Sequence, residues 1–300
     1  MSELTRQRGV GLAQLDDTLQ KLCAASRNRY VNPYEELEWP DRVEPGQWFT
    51  SPELISLYGT PAWERMDERA RARLSFLEAV NFYSINVNGE RALIEGLAKR
   101  MYAAADPVLE ICTPYLQHLV DEENKHIVYF GGFCRRYANG IYGDRKLDFG
   151  RNYAPGEDDF LFFARVLIFE ELVDVHNQRM AHDARLAPIA RRINLLHHLE
   201  EGRHLAFGRL IAAELFERHA RNWTSRTLES VRAYLAAYLV ATWREYTNPD
   251  VYADAGLARS YELAEEVFAH PSCRAHRRAV SAGCVGYLLE HGMLAREPEL

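Results

Sequence analysis

The 300-residue chain has no apolar run near 18 residues, roughly the length that a helix needs to cross a bilayer, so no membrane span is expected. Its most apolar stretch, Phe160–Phe169, is short, contains Arg165 and is flanked by acidic residues on both sides, which is typical of a buried helix. The N-terminus also lacks the apolar core of a signal peptide. We therefore expect a cytoplasmic protein.

Cysteine is scarce: there are five cysteines, scattered and without a C-x-x-C pair. Reduced thiols are therefore expected, not a disulfide framework or a zinc knuckle. The formal net charge is -7, and no basic stripe with interleaved aromatic residues is present. Both observations argue against a nucleic-acid-binding protein.

Strand signals are rare as well, because the β-branched runs are short and lack alternation bounded by turns. Apolar residues at helical spacing dominate instead, and they predict an all-α fold with four long helices. The first helix is expected from Glu68 to about Ala103, and the second from Pro107 (with Asp106 as N-cap) to about Tyr137. The third starts after Glu157–Asp159 and ends near His182, and the fourth follows the short turn HDARLAP and ends at about His219.

We expect a single domain over residues 1–300 with three parts. Residues 1–50 are predicted to form an N-terminal arm that includes an amphipathic segment near Val10–Ala25. Residues 51–220 contain the four-helix core. Residues 221–300 are predicted to add two or three helices between Thr224 and Met293.

Two Glu-x-x-His motifs lie inside the second and fourth predicted helices, Glu123 with His126 and Glu201 with His204. Residues three apart lie about 60° apart around a helix, so each carboxylate and imidazole can converge on one metal ion. One such motif is common by chance. Two motifs in corresponding helices, repeated after 78 residues, indicate a duplicated helix pair with a metal site.

Each motif helix is preceded by a helix with a candidate glutamate. Glu90 lies 33 residues before Glu123, and Glu170 lies 31 residues before Glu201. Ferritin-like di-iron bundles use one glutamate from each of two helices and a Glu-x-x-His motif from each of the other two. Two alternatives remain open at this point: Glu95 in place of Glu90, and Glu171 in place of Glu170.

A third histidine accompanies the second motif. On a helical wheel His197 lies in the wedge between Glu201 and His204, whereas His198 points about 120° away from His204. We therefore predict His197 as a ligand and place His198 outside the ligand set or at an interface. The predicted metal ligands are Glu90, Glu123, His126, Glu170, His197, Glu201 and His204, and no catalytic residue beyond them is assigned.

Several neighbouring residues are expected to surround the predicted site. Asp174, Glu122 and Glu200 are candidates to accept the second ring N–H of the ligand imidazoles. Arg203 and Lys125 point away from the predicted site and are expected to form outer salt bridges. The aromatic residues Tyr83 and Phe163 each precede a candidate glutamate by seven residues, and core packing is favoured over substrate contact for both.

On these residues the sequence resembles the ferritin-like non-haem di-iron monooxygenases of the p-aminobenzoate N-oxygenase type. The resemblance covers about Glu68 to His219, and the additional histidine, His197, is its specific part. The family often has aspartate before the motif glutamate, where this chain has Glu122 and Glu200. The resemblance implies a ferritin-like four-helix bundle that holds two iron ions.

The resemblance also implies an activity. With O2 as co-substrate, a peroxo-diferric species would oxygenate an amine to a hydroxylamine, and on to nitroso or nitro compounds, in secondary metabolite biosynthesis. The implied partners are a small amine, free or tethered to a carrier protein, an electron donor such as a ferredoxin or reductase, and a second copy in a homodimer. A C–H hydroxylase or desaturase on the same scaffold, or a ferritin-type iron-handling protein, are the alternatives.

Overall fold

The fold is all-α. A computed structural model of the chain describes residues 3–44, 46–103, 106–144 and 152–300, with side chains described from Leu12 onward. Within these ranges the only β-type pairing is one isolated bridge between Trp48 and Leu186. None of the helices in the described residues combines the length and apolar character that crossing a bilayer requires.

Ten helices are present in the described residues. They are α1 (Glu3–Asn28), α2 (Pro61–Glu64), α3 (Glu68–Arg100), α4 (Pro107–Tyr137), α5 (Glu157–His182), α6 (Pro188–Ala220), α7 (Ser225–Tyr246), α8 (Pro249–Asp254), α9 (Ser260–Ala269) and α10 (Pro271–Glu290), with a 3-10 turn at Pro52–Leu54.

The four long helices α3 to α6 agree with the sequence prediction. The side chain of Asp106 caps α4 by accepting a hydrogen bond from the backbone N–H of Val108, and Pro107 is the first helical residue, as expected. α3 ends at Arg100, slightly before the predicted Ala103, because the backbone of Met101 is extended.

The core helices pack as two pairs, α3 with α4 and α5 with α6, and each pair is joined by a short connection that makes it antiparallel. Gly96 lets α3 approach α5 closely, since a Cβ atom at this position would overlap the ring of Phe162. The interior between the pairs is filled largely by aromatic and branched side chains such as Phe130, Phe163 and Phe207.

The segments outside the bundle cover different sides of it. α1 packs on α4 and α6 and buries Leu15, Leu19 and Cys23, so the predicted arm is a docked helix. α7 packs on α5 and α3, and α10 packs on α5. The C-terminal part has four helices in the described residues, not two or three, because Pro249 and Pro271 start new helices after α7 and α9.

A buried polar contact ties the segment before α3 to the C-terminal helices. The carboxylate of Glu78 on α3, only 6% exposed, accepts hydrogen bonds from the hydroxyl and the backbone N–H of Ser56. The Ser56 hydroxyl lies 2.7 Å from the hydroxyl of Tyr252 on α8. Burial raises the pKa of Glu78 to about 7, against the hydrogen bonds from Ser56.

We expect Glu78 to make the folded protein less stable as the pH rises. Since its pKa is raised on folding, the folded chain binds this proton more tightly than the unfolded chain. The resulting stabilisation is present below about pH 4.5 and is lost as the pH rises through about 7. Glu78→Gln should remove this loss, on the order of 3 kcal/mol, between pH 5 and pH 8. Urea unfolding of both proteins at the two pH values measures it, and equal pH dependence in both would contradict the assignment.

Candidate metal centre

The seven predicted ligand residues meet in the middle of the bundle, and none is more than 4% exposed. Glu90 comes from α3, Glu170 from α5, and the two motifs from α4 and α6. Their donor atoms form three overlapping groups in which all atoms lie within 4.8 Å of one another. These groups are Glu90, His126 and His197; Glu123, His126 and His204; and Glu170, His197 and Glu201.

Two of the carboxylates lie between imidazoles. Glu123 Oε2 is 3.2 Å from Nδ1 of His126, and Glu123 Oε1 is 3.1 Å from Nδ1 of His204. Glu201 Oε1 is 3.1 Å from both Nδ1 of His204 and Nε2 of His197. Glu123 and Glu201 therefore each lie within about 3 Å of two imidazoles, and together with them could hold a metal ion.

The structure separates the alternatives that the sequence left open. Glu95 is exposed on α3 and pairs with Lys99 at 2.6 Å. Glu171 points away from the cluster and accepts a hydrogen bond of 2.6 Å from Nε of Arg209. Glu90 and Glu170 are thus the two glutamates that α3 and α5 bring to the cluster.

The polar atoms of the cluster suit metal ions that accept both oxygen and nitrogen ligands. Both oxygens of Glu90, Oε2 of Glu170, Oε2 of Glu201 and Nε2 of His197 are buried and have no hydrogen-bond partner among the described residues. Burying each such polar group without a partner costs several kcal/mol. Carboxylate and imidazole donors together suit iron or manganese.

Helices α4 and α6 each supply a carboxylate that accepts a hydrogen bond from an imidazole of the other helix. Nε2 of His126 on α4 donates to Glu200 on α6 at 3.0 Å, while Nε2 of His204 on α6 donates to Glu122 on α4 at 2.8 Å. Both carboxylates are buried. Each hydrogen bond turns Nδ1 of its imidazole towards the cluster, the role proposed for Glu122 and Glu200 from the sequence.

Two buried cations complete this outer layer. Arg203 donates to Glu122 at 2.7 Å, and Lys125 lies 3.0 Å from Asp121 and 3.5 Å from Glu200. The expected outer salt bridges of Arg203 and Lys125 are therefore present. The ring of Tyr30, which follows α1, covers the Lys125 ammonium at 4.3 Å.

His197 is oriented by a residue that the sequence analysis missed. The side-chain amide of Asn177 on α5 contacts Nδ1 of His197. Nε2 therefore faces Glu90 and Glu201, at 3.5 Å and 3.1 Å. Asn177 lies seven residues after Glu170, two turns along the same face of α5, and this spacing is the signal that could have found it.

The expectation for Asp174 was wrong in its partner. Asp174 accepts a hydrogen bond of 2.6 Å from Nδ1 of His198, which lies outside the cluster, and not from a ligand imidazole. The angular separation that turns His198 away from the cluster turns it towards Asp174 on α5. His198 thus has a structural partner of its own.

Tyr83 and Phe163 are core residues, as expected. Tyr83 is fully buried, stacks on Phe130 at a ring-centroid distance of 5.0 Å and accepts a hydrogen bond from Asn194. Phe163 packs edge-on against Phe207 at 5.9 Å.

The carboxylates and imidazoles of the cluster shift one another's pKa values. Burial alone would raise the pKa of Glu123, but His204 and His126 outweigh it and lower that pKa. Burial opposes the charge on His126, yet its bonds to Glu123 and Glu200 raise its pKa to about 10. Burial raises the pKa values of Glu90 and Glu170 well above the usual range. Metal binding must therefore displace protons.

Comparisons with known proteins find a matching family model, distant relatives and solved structures. The family model for p-aminobenzoate N-oxygenase AurF matches residues 13–292. Uncharacterized proteins of Mycobacterium tuberculosis and Mycobacterium bovis are 23% identical over 265 residues, which cover 85% of this chain and 75% of each relative. Two variants of an R2-like ligand-binding oxidase with Mn/Fe cofactor align at TM-scores of 0.49 and 0.48 and 16% identity, over 93% of both chains.

Removing a ligand is expected to remove bound metal. Glu123→Ala should lose most of the iron or manganese of the loaded protein, and His197→Ala should lose a large part of it. The matched controls are Glu95→Ala on the exposed face of α3 and His198→Ala, because neither residue faces the cluster. Metal analysis, with circular dichroism to confirm folding, measures the effect. Equal metal content in His197→Ala and His198→Ala would refute the assignment of His197.

Glu122→Gln is expected to weaken metal binding by about 10- to 100-fold, since His204 loses a charged acceptor and Arg203 loses its ion pair. Competition with a chelator of known affinity gives the constant. Asp174→Asn is the matched control, because Asp174 holds only His198. A similar loss in both variants would show that Glu122 has no special role.

Proposed function

The chain belongs to the p-aminobenzoate N-oxygenase family, and on that premise we propose that it is an O2-dependent non-haem di-iron oxygenase that N-oxygenates an amine. Family membership makes the chain an oxidoreductase. The buried cluster of four carboxylates and three imidazoles supports a metal centre in it. Iron as the metal, O2 as the oxidant and an amine as the substrate are the parts that we propose.

His197 is the observation that carries the proposal. Ferritin-like di-iron sites use two Glu-x-x-His motifs and two further glutamates, which gives two imidazoles. Here a third imidazole lies 3.1 Å from Glu201 and 3.5 Å from Glu90, and Asn177 fixes its orientation. A dedicated holder for an additional ligand indicates a centre built for a more specific reaction than iron storage.

Iron bound by these residues would supply the electrons that activate dioxygen. The protein residues have separate tasks. Glu122 and Glu200 hold the outer ring protons of His204 and His126. Phe130 packs edge-on against the ring of His197 at a centroid distance of 4.9 Å and helps to exclude water from the cluster.

The overall reaction balances with an external electron donor. An amine, O2, two electrons and two protons give a hydroxylamine and water. A ferredoxin or a reductase is the proposed source of the two electrons. Further turnovers of the same kind would carry the nitrogen to the nitroso or nitro level.

Oxygen transfer to nitrogen is the decisive experiment. The iron-loaded protein, supplied with O2, a reductant and a panel of aryl and alkyl amines, is expected to give products heavier by one oxygen atom by mass spectrometry. The label should come from ¹⁸O2, and Glu123→Ala should abolish it. Glu95→Ala is the control. Hydroxylation at carbon or desaturation would support the alternative oxygenase chemistry, and iron uptake with no oxidised organic product would support iron handling. Either outcome contradicts N-oxygenation.

A further inference from the structure

The predicted metal ligands are shielded from solvent, so an electron that reaches them has to cross protein. None of the seven ligand side chains is more than 4% exposed. The proposed reaction consumes two electrons, and both come from a donor outside the chain. Electron transfer through protein slows steeply with distance and is fastest where side chains are packed without gaps. Electrons are therefore expected to enter where packed side chains connect the cluster with the surface.

A row of packed rings connects the cluster with the outer face of α10. At successive ring-centroid distances of 6.3, 5.6, 6.3 and 4.9 Å, the row runs from His276 through His176, Phe82 and Phe130 to the predicted ligand His197. Trp243 of α7 packs beside the row, 6.0 Å from the rings of both His276 and His176. His276 is only partly buried, whereas the other members of the row are buried. The row thus reaches the surface at His276.

The surface around His276 carries three exposed arginines, Arg179 on α5 and Arg274 and Arg278 on α10. Burial lowers the pKa of His276 to about 4, and the charges of Arg179 and the buried Arg277 add to this effect. The charges of Arg274 and Arg278 act on Arg277 in the same way. In the described part of the chain, none of the three exposed arginines has a carboxylate within ion-pair distance. We call Arg179, Arg274 and Arg278 the basic patch.

The charges on the neighbouring helix α9 are balanced among themselves. Glu265 pairs with Arg244 at 2.6 Å. Glu262 and Glu266 lie 3.9 and 4.0 Å from Arg259. The basic patch is therefore a local excess of positive charge on a chain whose formal net charge is -7. Such a patch attracts an acidic partner.

A second row of rings also reaches the surface, but the charges at its outer end are of both signs. It branches from the first row at Phe130 and runs through Tyr83, Phe133 and Tyr137 to Trp39. The guanidinium of Arg136 stacks on Trp39 at 4.3 Å. Arg42 and Glu44, which line the same cavity as Trp39, pair with each other at 2.8 Å. Charge of a single sign thus distinguishes the end at His276 from the end at Trp39.

We infer that the basic patch is the docking surface of an acidic one-electron carrier protein of the ferredoxin kind, which delivers electrons to the metal cluster along the ring row that starts at His276. Partners in electron transfer form small, short-lived interfaces whose formation is guided by charge, and an exposed group of three arginines suits such an interface.

Each docking event transfers one electron and no atom. The iron–sulfur centre of the carrier is oxidised, and one ferric ion held by the cluster is reduced to the ferrous state, so two docking events supply one turnover. The rings are the path of the electron and are not themselves oxidised or reduced. The need for a carrier rests on the proposed function, whereas the docking surface rests on the basic patch and the ring row.

Binding of an oxidised plant-type ferredoxin, an acidic protein with a two-iron, two-sulfur centre, tests the surface in the absence of turnover. The metal-free chain is expected to bind it at low ionic strength and to lose affinity as salt screens the charges. Reversal of the patch in the triple variant Arg179→Glu/Arg274→Glu/Arg278→Glu should weaken binding by about tenfold or more. Biolayer interferometry measures the affinity.

The matched control reverses three charges elsewhere. Arg135→Glu/Arg136→Glu/Arg226→Glu changes exposed residues, two of them near the outer end of the second ring row, and alters the net charge by the same amount. It should leave the affinity within about twofold of that of the unaltered chain, because charge acts at the docking surface and not through the total. Equal weakening in both triple variants, or weakening in the control alone, would overturn the inference.

Reduction of the iron-loaded protein tests delivery, without an amine present. Stopped-flow loss of the ferric absorption is followed with reduced ferredoxin and with photoreduced deazariboflavin, a small uncharged reductant. The patch variant should be reduced about tenfold more slowly by ferredoxin and at an unchanged rate by deazariboflavin, since the substitutions lie on the surface. Slower reduction by both reductants would show that the substitutions disturb the cluster itself, and it would refute the docking surface.

His276→Leu tests the ring row separately from the patch. Removal of the outermost ring is expected to lower the rate of reduction at saturating ferredoxin and to leave the affinity for ferredoxin unchanged, because the basic patch is intact. An unchanged limiting rate would show that electrons enter by another path.

The docking surface and the proposed function can fail separately. Patch-dependent binding and reduction without any N-oxygenated product would leave the docking surface in place and refute the proposed function. N-oxygenation driven by deazariboflavin, together with ferredoxin binding that does not depend on the patch, would refute the docking surface alone.

Discussion

Four glutamates in the centre of the bundle, Glu90, Glu123, Glu170 and Glu201, cannot stay buried as anions unless positive charge lies beside them. Much of the surrounding structure follows from this requirement. Three imidazoles face the carboxylates, and a second layer of Glu122 and Glu200 holds two of these imidazoles. The second layer is itself anionic and buried, so it requires Arg203 and Lys125. The polar interior is thus arranged in layers of alternating charge inside an aromatic core.

The helical content and the meeting of the predicted ligand residues in one cluster follow from local spacing, and for this reason the sequence alone could predict them. A Glu-x-x-His motif places its two side chains on one face of any helix, whatever surrounds it. The choice between Glu170 and Glu171 has a different basis, because neighbouring residues differ by about 100° and the outcome depends on where Arg209 of another helix lies. The pairing of Glu122 with His204 and of Glu200 with His126 likewise depends on the packing of α4 against α6. The number of C-terminal helices was underestimated because short helices such as α8 give little periodic signal.

Buried polar atoms without a partner among the described residues lie on both sides of the cluster. Below α1, the outer hydrogen bonds of His126 and His204 end on carboxylates that are themselves in ion pairs, yet Nε of Arg203 has no partner. Below α7 and α10, His176 Nε2 and Tyr246 Oη have none. The hydrogen bonds that hold the outer nitrogens of His126 and His204 are nevertheless complete, and they keep these two imidazoles in place.

The reciprocal bonds between α4 and α6 also bear on how such a chain can change over generations. Glu122 stands next to Glu123 in the sequence but serves His204, and Glu200 serves His126 in the same way. A substitution at either carboxylate therefore alters the environment of an imidazole on the other helix, some 80 residues away in the sequence. The two helix pairs are thus expected to change together, and covariation among relatives should link residue 122 with residues 203 and 204 more strongly than with its own motif.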